Sequence, residues 1–153
     1  MQMKSVLKLG LVIIAMTSAS FVYAHSGASG VVKSRMDVMS SIAKSMKAIG
    51  AMMKGEAAFD AGVVKSSATE IAKHAKHIPH LFPEGSNKKP TEALPAVWTD
   101  WEKFTKIAVD MDAAAQALAG AAEAATGPGD IGAQLGALGN TCKACHSDFR
   151  LKK

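Results

Sequence analysis

The only two cysteines of the 153-residue chain stand three apart, with a histidine directly after the second: Cys142-Lys143-Ala144-Cys145-His146. On a helix, positions i and i+3 share a face, so both sulfurs can reach the two vinyl groups of one porphyrin and form thioethers. The imidazole of His146 can then stand under the iron as its proximal ligand. This is the C-x-x-C-H pattern of covalent haem c attachment. Other chemistries also use paired cysteines. A disulfide between Cys142 and Cys145 would close a very small loop and stabilise little. A thiol redox pair normally opens a helix after a strand, where the helix N-terminus lowers the thiol pKa, whereas this pair lies late in the last helical stretch. A zinc site would need a fourth ligand from elsewhere.

The elements that must position this motif are read from hydrophobic spacing. Four stretches have helical period. Over 32–53, apolar residues fall at Met36, Met39, Ala43, Met46, Ile49 and Met53, steps of three and four that place them on one face. Over 61–81 the same spacing runs through Val64, Ala68, Ile71, Ala75 and Ile78, with Pro79 set to bend the last turn. The third and longest stretch, 97–123, carries Trp101, Phe104, Ala108, Met111, Ala115 and Leu118 in register. After the break Thr126-Gly127-Pro128-Gly129-Asp130, the residues Ile131, Leu135, Leu138, Cys142, Cys145 and Phe149 continue the alternation to the chain end. No strand pattern competes. Aromatic residues make up only 5% of the chain, and small or unbranched side chains suit helices better than strands. The expected fold is all-α: an antiparallel up-and-down four-helix bundle with a covalently attached haem.

Residues 1–24 place Lys4 and Lys8 ahead of a short apolar run that ends in small residues at Ala24, the order expected of a cleaved secretory signal and too short for a membrane span. Two segments are therefore expected: the leader 1–24 and a bundle domain 25–153, exported to the periplasm as a soluble protein. Removing the leader takes away two lysines and no acid, so the formal charge falls from +5 to +3 over 129 residues. That is too mild, with no basic run interleaved with aromatics, to point to nucleic acid. No nucleophile with a base, paired carboxylate site or phosphate-binding glycine loop is present, so the chain reads as a carrier and not an enzyme. Gly132, Gly136 and Gly139 step along one face of the last helix, where they would permit close helix or porphyrin approach.

Cys142 to Arg150, reading C-K-A-C-H-S-D-F-R, together with Arg35-Met36-Asp37-Val38-Met39, Ile78-Pro79-His80-Leu81-Phe82-Pro83 and the Val97-Trp98 pair followed by Phe104, resembles the class II c-type cytochromes, the cytochrome c′ family. The resemblance covers almost all of the chain beyond the leader. It implies that Cys142 and Cys145 hold one haem c, that His146 is the fifth iron ligand, that Arg35 contacts a haem propionate, that Met36 lines the haem and that Arg150 lies near the proximal face. Met39 falls at the family's distal position. There the family divides between a methionine-ligated, low-spin electron carrier and an open five-coordinate iron that takes nitric oxide or carbon monoxide. A thioether opposite histidine favours reduced iron, so the expectation is electron transfer between Fe(III) and Fe(II) with His146 and Met39 as ligands.

Other features are less specific. His74, His77 and His80 read as a drifting solvated stripe interleaved with Lys73 and Lys76. Trp98, Trp101 and Phe104 are expected in the core and against the haem. Met46, Met52 and Met53 offer an adaptable face for a homodimer. Lys143, Arg150, Lys152 and Lys153 cluster near the motif and would attract an acidic redox partner protein.

Overall fold

The computed structural model describes residues 27–152; the expected leader lies outside them. Helix α1 spans Gly30–Met53 and α2 spans Ala61–His77, continued by a 3-10 turn over Ile78–Leu81. A short α3, Ala96–Thr99, precedes α4, Trp101–Ala122, and a 3-10 turn over Pro128–Ile131 leads into α5, Gly132–Phe149. The four long helices form the bundle: α1 packs on α2, α2 on α4 and α4 on α5, while α1 and α5 barely touch.

Local chemistry accounts for the helix ends. Gly55 follows α1 with φ 72°, a left-handed conformation that glycine adopts freely. The Asp60 carboxylate accepts a hydrogen bond from the Val63 N–H at 3.0 Å and caps α2. Asp130 accepts from the backbone N–H groups of Thr126 (2.8 Å) and Gly127 (3.1 Å), closing the turn before α5. These bonds hold its carboxyl below the ordinary carboxylate range.

The inward seams of α2 and α4 are those expected, with Val64, Ala68, Ile71, Ala75, Ile78, Phe104, Ala108, Met111, Ala115 and Leu118 all buried. Four details differ from the sequence reading. The α1 seam is turned by about one residue, so Ile42 is buried and Ala43 is exposed. Met52 is buried in the core, where its sulfur accepts from the Asp60 N–H at 3.2 Å, and is not part of a methionine surface. The third stretch is two helices and not one. Asp100, at φ −125° and ψ 54°, ends α3 by donating to the Ala96 carbonyl and starts α4 by accepting from Phe104. The fourth difference follows from that break, since it turns Trp101 outward to 40% exposure while Phe104 stays inside.

Candidate functional site

Helix α5 carries the motif on its final turns. Cys142 and Cys145 are both unbonded and half-buried, and Cys145 packs against the core. His146 stands on the exposed side of the same turn. Burial pushes the Cys142 thiol up from its ordinary value. Burial and then the charges of Cys142 and Asp148 push the Cys145 thiol up to about 11. A thiol-redox pair needs the opposite shift, because the thiolate is the nucleophile. Desolvation, helped by the positive charge of Arg150, lowers the His146 pKa and so favours the neutral imidazole, the form that can offer a lone pair to a metal.

Arg150 is exposed and donates to Glu92 Oε2 through Nε at 3.1 Å and Nη2 at 3.0 Å. The chain on either side is tied to the loop before α3: Leu94 N–H donates to the Phe149 carbonyl at 2.9 Å and Leu151 N–H to the Glu92 carbonyl at 2.8 Å. Arg150 acts on His146 through its charge, which Glu92 partly balances.

On α1, Met36 and Met39 are half-buried, and Met39 packs against the core cluster. Arg35 is buried at 6% exposure and is not a solvated surface charge. Its Nε donates to the Leu81 carbonyl at 2.6 Å, Nη1 to the Ser86 carbonyl at 3.0 Å and to Thr91 Oγ1 at 3.2 Å, and Nη2 to Ser86 Oγ. The guanidinium carbon lies 4.1 Å from the Phe82 ring centre and 5.7 Å from that of Trp98. Trp98 in turn donates its indole N–H to the carbonyls of Phe82 and Pro83 at 3.1 and 3.2 Å. Sequence reasoning singled out Arg35 but not these partners. All four acceptors are neutral, so the buried charge has a hydrogen-bonded cradle and no carboxylate in it.

The three histidines do not converge. His74 Nε2 lies 3.0 Å from Ser41 Oγ and 3.4 Å from Glu70, whereas the His77 and His80 rings lie 5.9 Å apart. Among the described residues no group of three histidine, cysteine or acidic side chains gathers to hold a metal ion. Of the three glycines on α5, only Gly132 faces another helix, with a Cβ there lying 4.0 Å from Met53 Cε; Gly136 and Gly139 have open space.

A flat apolar group fits this arrangement. The seams that remain half-buried are Met39, Met46 and Met53 on α1 and Leu135, Cys142 and Cys145 on α5, the two helices that scarcely meet. Unbonded, half-buried thiols stand at i and i+3 on α5, and a buried cation with no acid partner among the described residues lies on α1. Together with the bundle, these features define a c-type haem protein of the helical-bundle class.

The comparisons agree. The family described as Cytochrome C' matches residues 30–150. A cytochrome c′ of Rhodopseudomonas palustris is 42% identical over 125 residues, covering 80% of this chain and 83% of its own. A cytochrome c-556 of Agrobacterium fabrum is 36% identical over 126 residues, covering 82% and 84%. The solved cytochrome c′ of Rhodopseudomonas palustris superposes with a TM-score of 0.76 at 37% identity, covering 82% of this chain and 99% of that one. The chain belongs to the cytochrome c′ family and is a monohaem c-type cytochrome, its haem c attached through Cys142 and Cys145.

Proposed function

We propose that the chain is an exported electron carrier whose haem iron is held by His146 from α5 and Met39 from α1. The observation that carries this reading is the half-buried methionine of α1 on the seam that α5 leaves open with its thiols. When bound, the haem supplies an iron that accepts and returns one electron. The chain does the rest. Cys142 and Cys145 fasten the porphyrin, the neutral imidazole of His146 offers its lone pair, and a thioether from Met39 favours the reduced state. Arg35 has used four of its five N–H donors on the loop, which leaves one Nη2 donor for a propionate. Arg150 holds a positive field near the proximal side. No bond of a substrate is made or broken in this reading. Export rests on the leader pattern of residues 1–24; no described helix is long and apolar enough to cross a membrane.

Electron paramagnetic resonance of the ferric protein tests the ligand set. Low-spin iron is the expected result, and a high-spin resting state overturns Met39 as a ligand. A second reading, an open site that binds nitric oxide or carbon monoxide, draws on the packing of Met39 against the core as an apolar filler. Carbon monoxide binding to the reduced protein separates the two. With Met39 as ligand, Met39→Ala binds the gas faster than wild type by about tenfold or more, the loss of a competing bond of at least about 1.4 kcal/mol. Equal rates favour the open site.

A further inference from the structure

An open groove is lined by His80, Phe82, Pro83, Glu84, Trp98 and Trp101 and by none of Cys142, Cys145 and His146. Trp101 is 40% exposed and is the one aromatic among the large apolar side chains that the described residues leave open to solvent. Its exposure is not accidental crowding at a frayed end, because the ring packs on Phe104 at 5.5 Å between centres. Phe104 meets Phe149 edge to face at 5.3 Å and Phe82 at 4.8 Å. Phe149 lies three residues beyond His146 on α5, one turn along the same helix. A continuous aromatic contact therefore joins the haem-bearing helix to the surface at Trp101.

The charge exposed beside the groove is mainly acidic, although the Arg35 guanidinium lies buried 4.1 Å from the ring centre of Phe82 in its floor. Glu84 and Glu102 are exposed, and among the described residues neither forms an ion pair. Asp100 adds to the negative field at Lys103, and Lys103 is itself bridged to Asp148 at 2.8 Å. Carboxylates thus outnumber ammonium groups beside an apolar floor. At the motif's end of α5 the expected basic attraction is blunted, because Arg150 is paired with Glu92.

We propose that this groove is the docking face for a redox partner with a basic rim and an apolar or aromatic centre, and that Trp101 is the residue it contacts. Only the naming of the partner as a redox protein rests on the electron-carrier reading. Interfaces favour aromatic anchors inside a ring of complementary charge.

Two one-electron oxidants of opposite charge test the proposal on the reduced holo-protein. Tris(phenanthroline)cobalt(III) is cationic and aromatic, and hexacyanoferrate(III) is anionic. In each reaction one electron leaves the ferrous protein and reduces the metal complex, cobalt(III) to cobalt(II) or iron(III) to iron(II), with no bond made. Trp101→Ala is expected to slow the cobalt reaction about fivefold or more, and Glu84→Gln with Glu102→Gln about threefold at low salt. The hexacyanoferrate rates should change less than twofold and the reduction potential by less than about 18 mV, the same factor at 59 mV per tenfold for a one-electron couple. A redox-inert cation, hexaamminechromium(III), should broaden the nuclear magnetic resonance signals of the Trp101 indole and the Glu84 amide in the ferrous protein. Equal slowing with both oxidants, or a cobalt rate indifferent to Trp101, overturns the docking face. The spin state found for the iron does not alter this test, so the two readings fail separately.

Discussion

The two halves of the bundle differ in how completely they close. Between α2 and α4 the seam is finished: Val64, Ala68, Ile71, Ala115 and Leu118 have no exposed surface, and the small alanines let the helix axes approach. Helices α1 and α5 scarcely meet, and although Ile42, Ile49 and Leu138 are buried, Met39, Met46, Leu135, Cys142 and Cys145 stop half-buried. Protein interiors are normally close-packed, so a helix pair left ajar in an otherwise dense bundle marks a place where a non-protein group completes the core. The closed pair supplies the frame, and α5 of the open pair carries the two cysteines that hold the haem.

The strongest way to break this comparison is to take away the means of filling the open seam. Cys142→Ser with Cys145→Ser removes both thioether bonds, and covalent haem should vanish entirely from the product, as read from its mass and from loss of haem staining on a denaturing gel. Cys145→Ser alone should leave the haem on one bond. A double variant that still retained haem under denaturing conditions would show attachment elsewhere.

The next test compares the two seams in the haem-free protein. Leu118→Ala should cost about 3 kcal/mol, because the closed seam cannot collapse around a missing isobutyl group. Met46→Ala, on the open seam, should cost about 1 kcal/mol, since part of that side chain is already in contact with water. Urea unfolding measures both. With haem attached, the Met46→Ala cost should rise and the Leu118→Ala cost should hold, and equal costs at the two sites in the haem-free protein would contradict the difference in packing.

Much of this was legible before the fold. The motif stands in five consecutive residues, and the period of α2 and α4 marks their buried faces residue by residue. The seam of α1 is harder to read because apolar side chains lie on both sides of it; the true inward line runs Arg35, Ile42 and Ile49, seven apart, and places an arginine where an apolar residue is expected. That spacing is a signal that Arg35 points inward. Its partners carry no such signal. The carbonyls of Leu81 and Ser86 are backbone atoms of a loop whose path is set by tertiary contacts. The break at Asp100 is hidden for the same reason: the indole of Trp98 and the pairing of Leu94 with Phe149 pull the chain out of a pattern that is continuous in periodicity.

The smallest expected effect lies at the edge of the open seam, where Arg150 faces both Glu92 and His146. The Arg150–Glu92 pair is exposed, so Arg150→Gln should change stability by well under 1 kcal/mol. Its effect on the histidine is the sharper reading. In the haem-free protein, desolvation and then Arg150 lower the His146 pKa. A group depressed in the folded state stabilises above its unfolded pKa and loses that contribution as pH falls through the folded value. Stability should therefore be level above about pH 6.5, the ordinary histidine value, and decline below it. Replacing Arg150 with glutamine removes one of the two causes, so the His146 pKa should rise and the decline should become shallower, with the desolvation part remaining. Proton titration of the imidazole by nuclear magnetic resonance, in the double serine variant at low and high salt, follows the shift directly. Because salt screens the charge but not the burial, only the portion due to Arg150 should shrink as salt is raised. A His146 pKa unmoved by Arg150→Gln would leave burial as its sole cause and place the arginine's field on Glu92 alone.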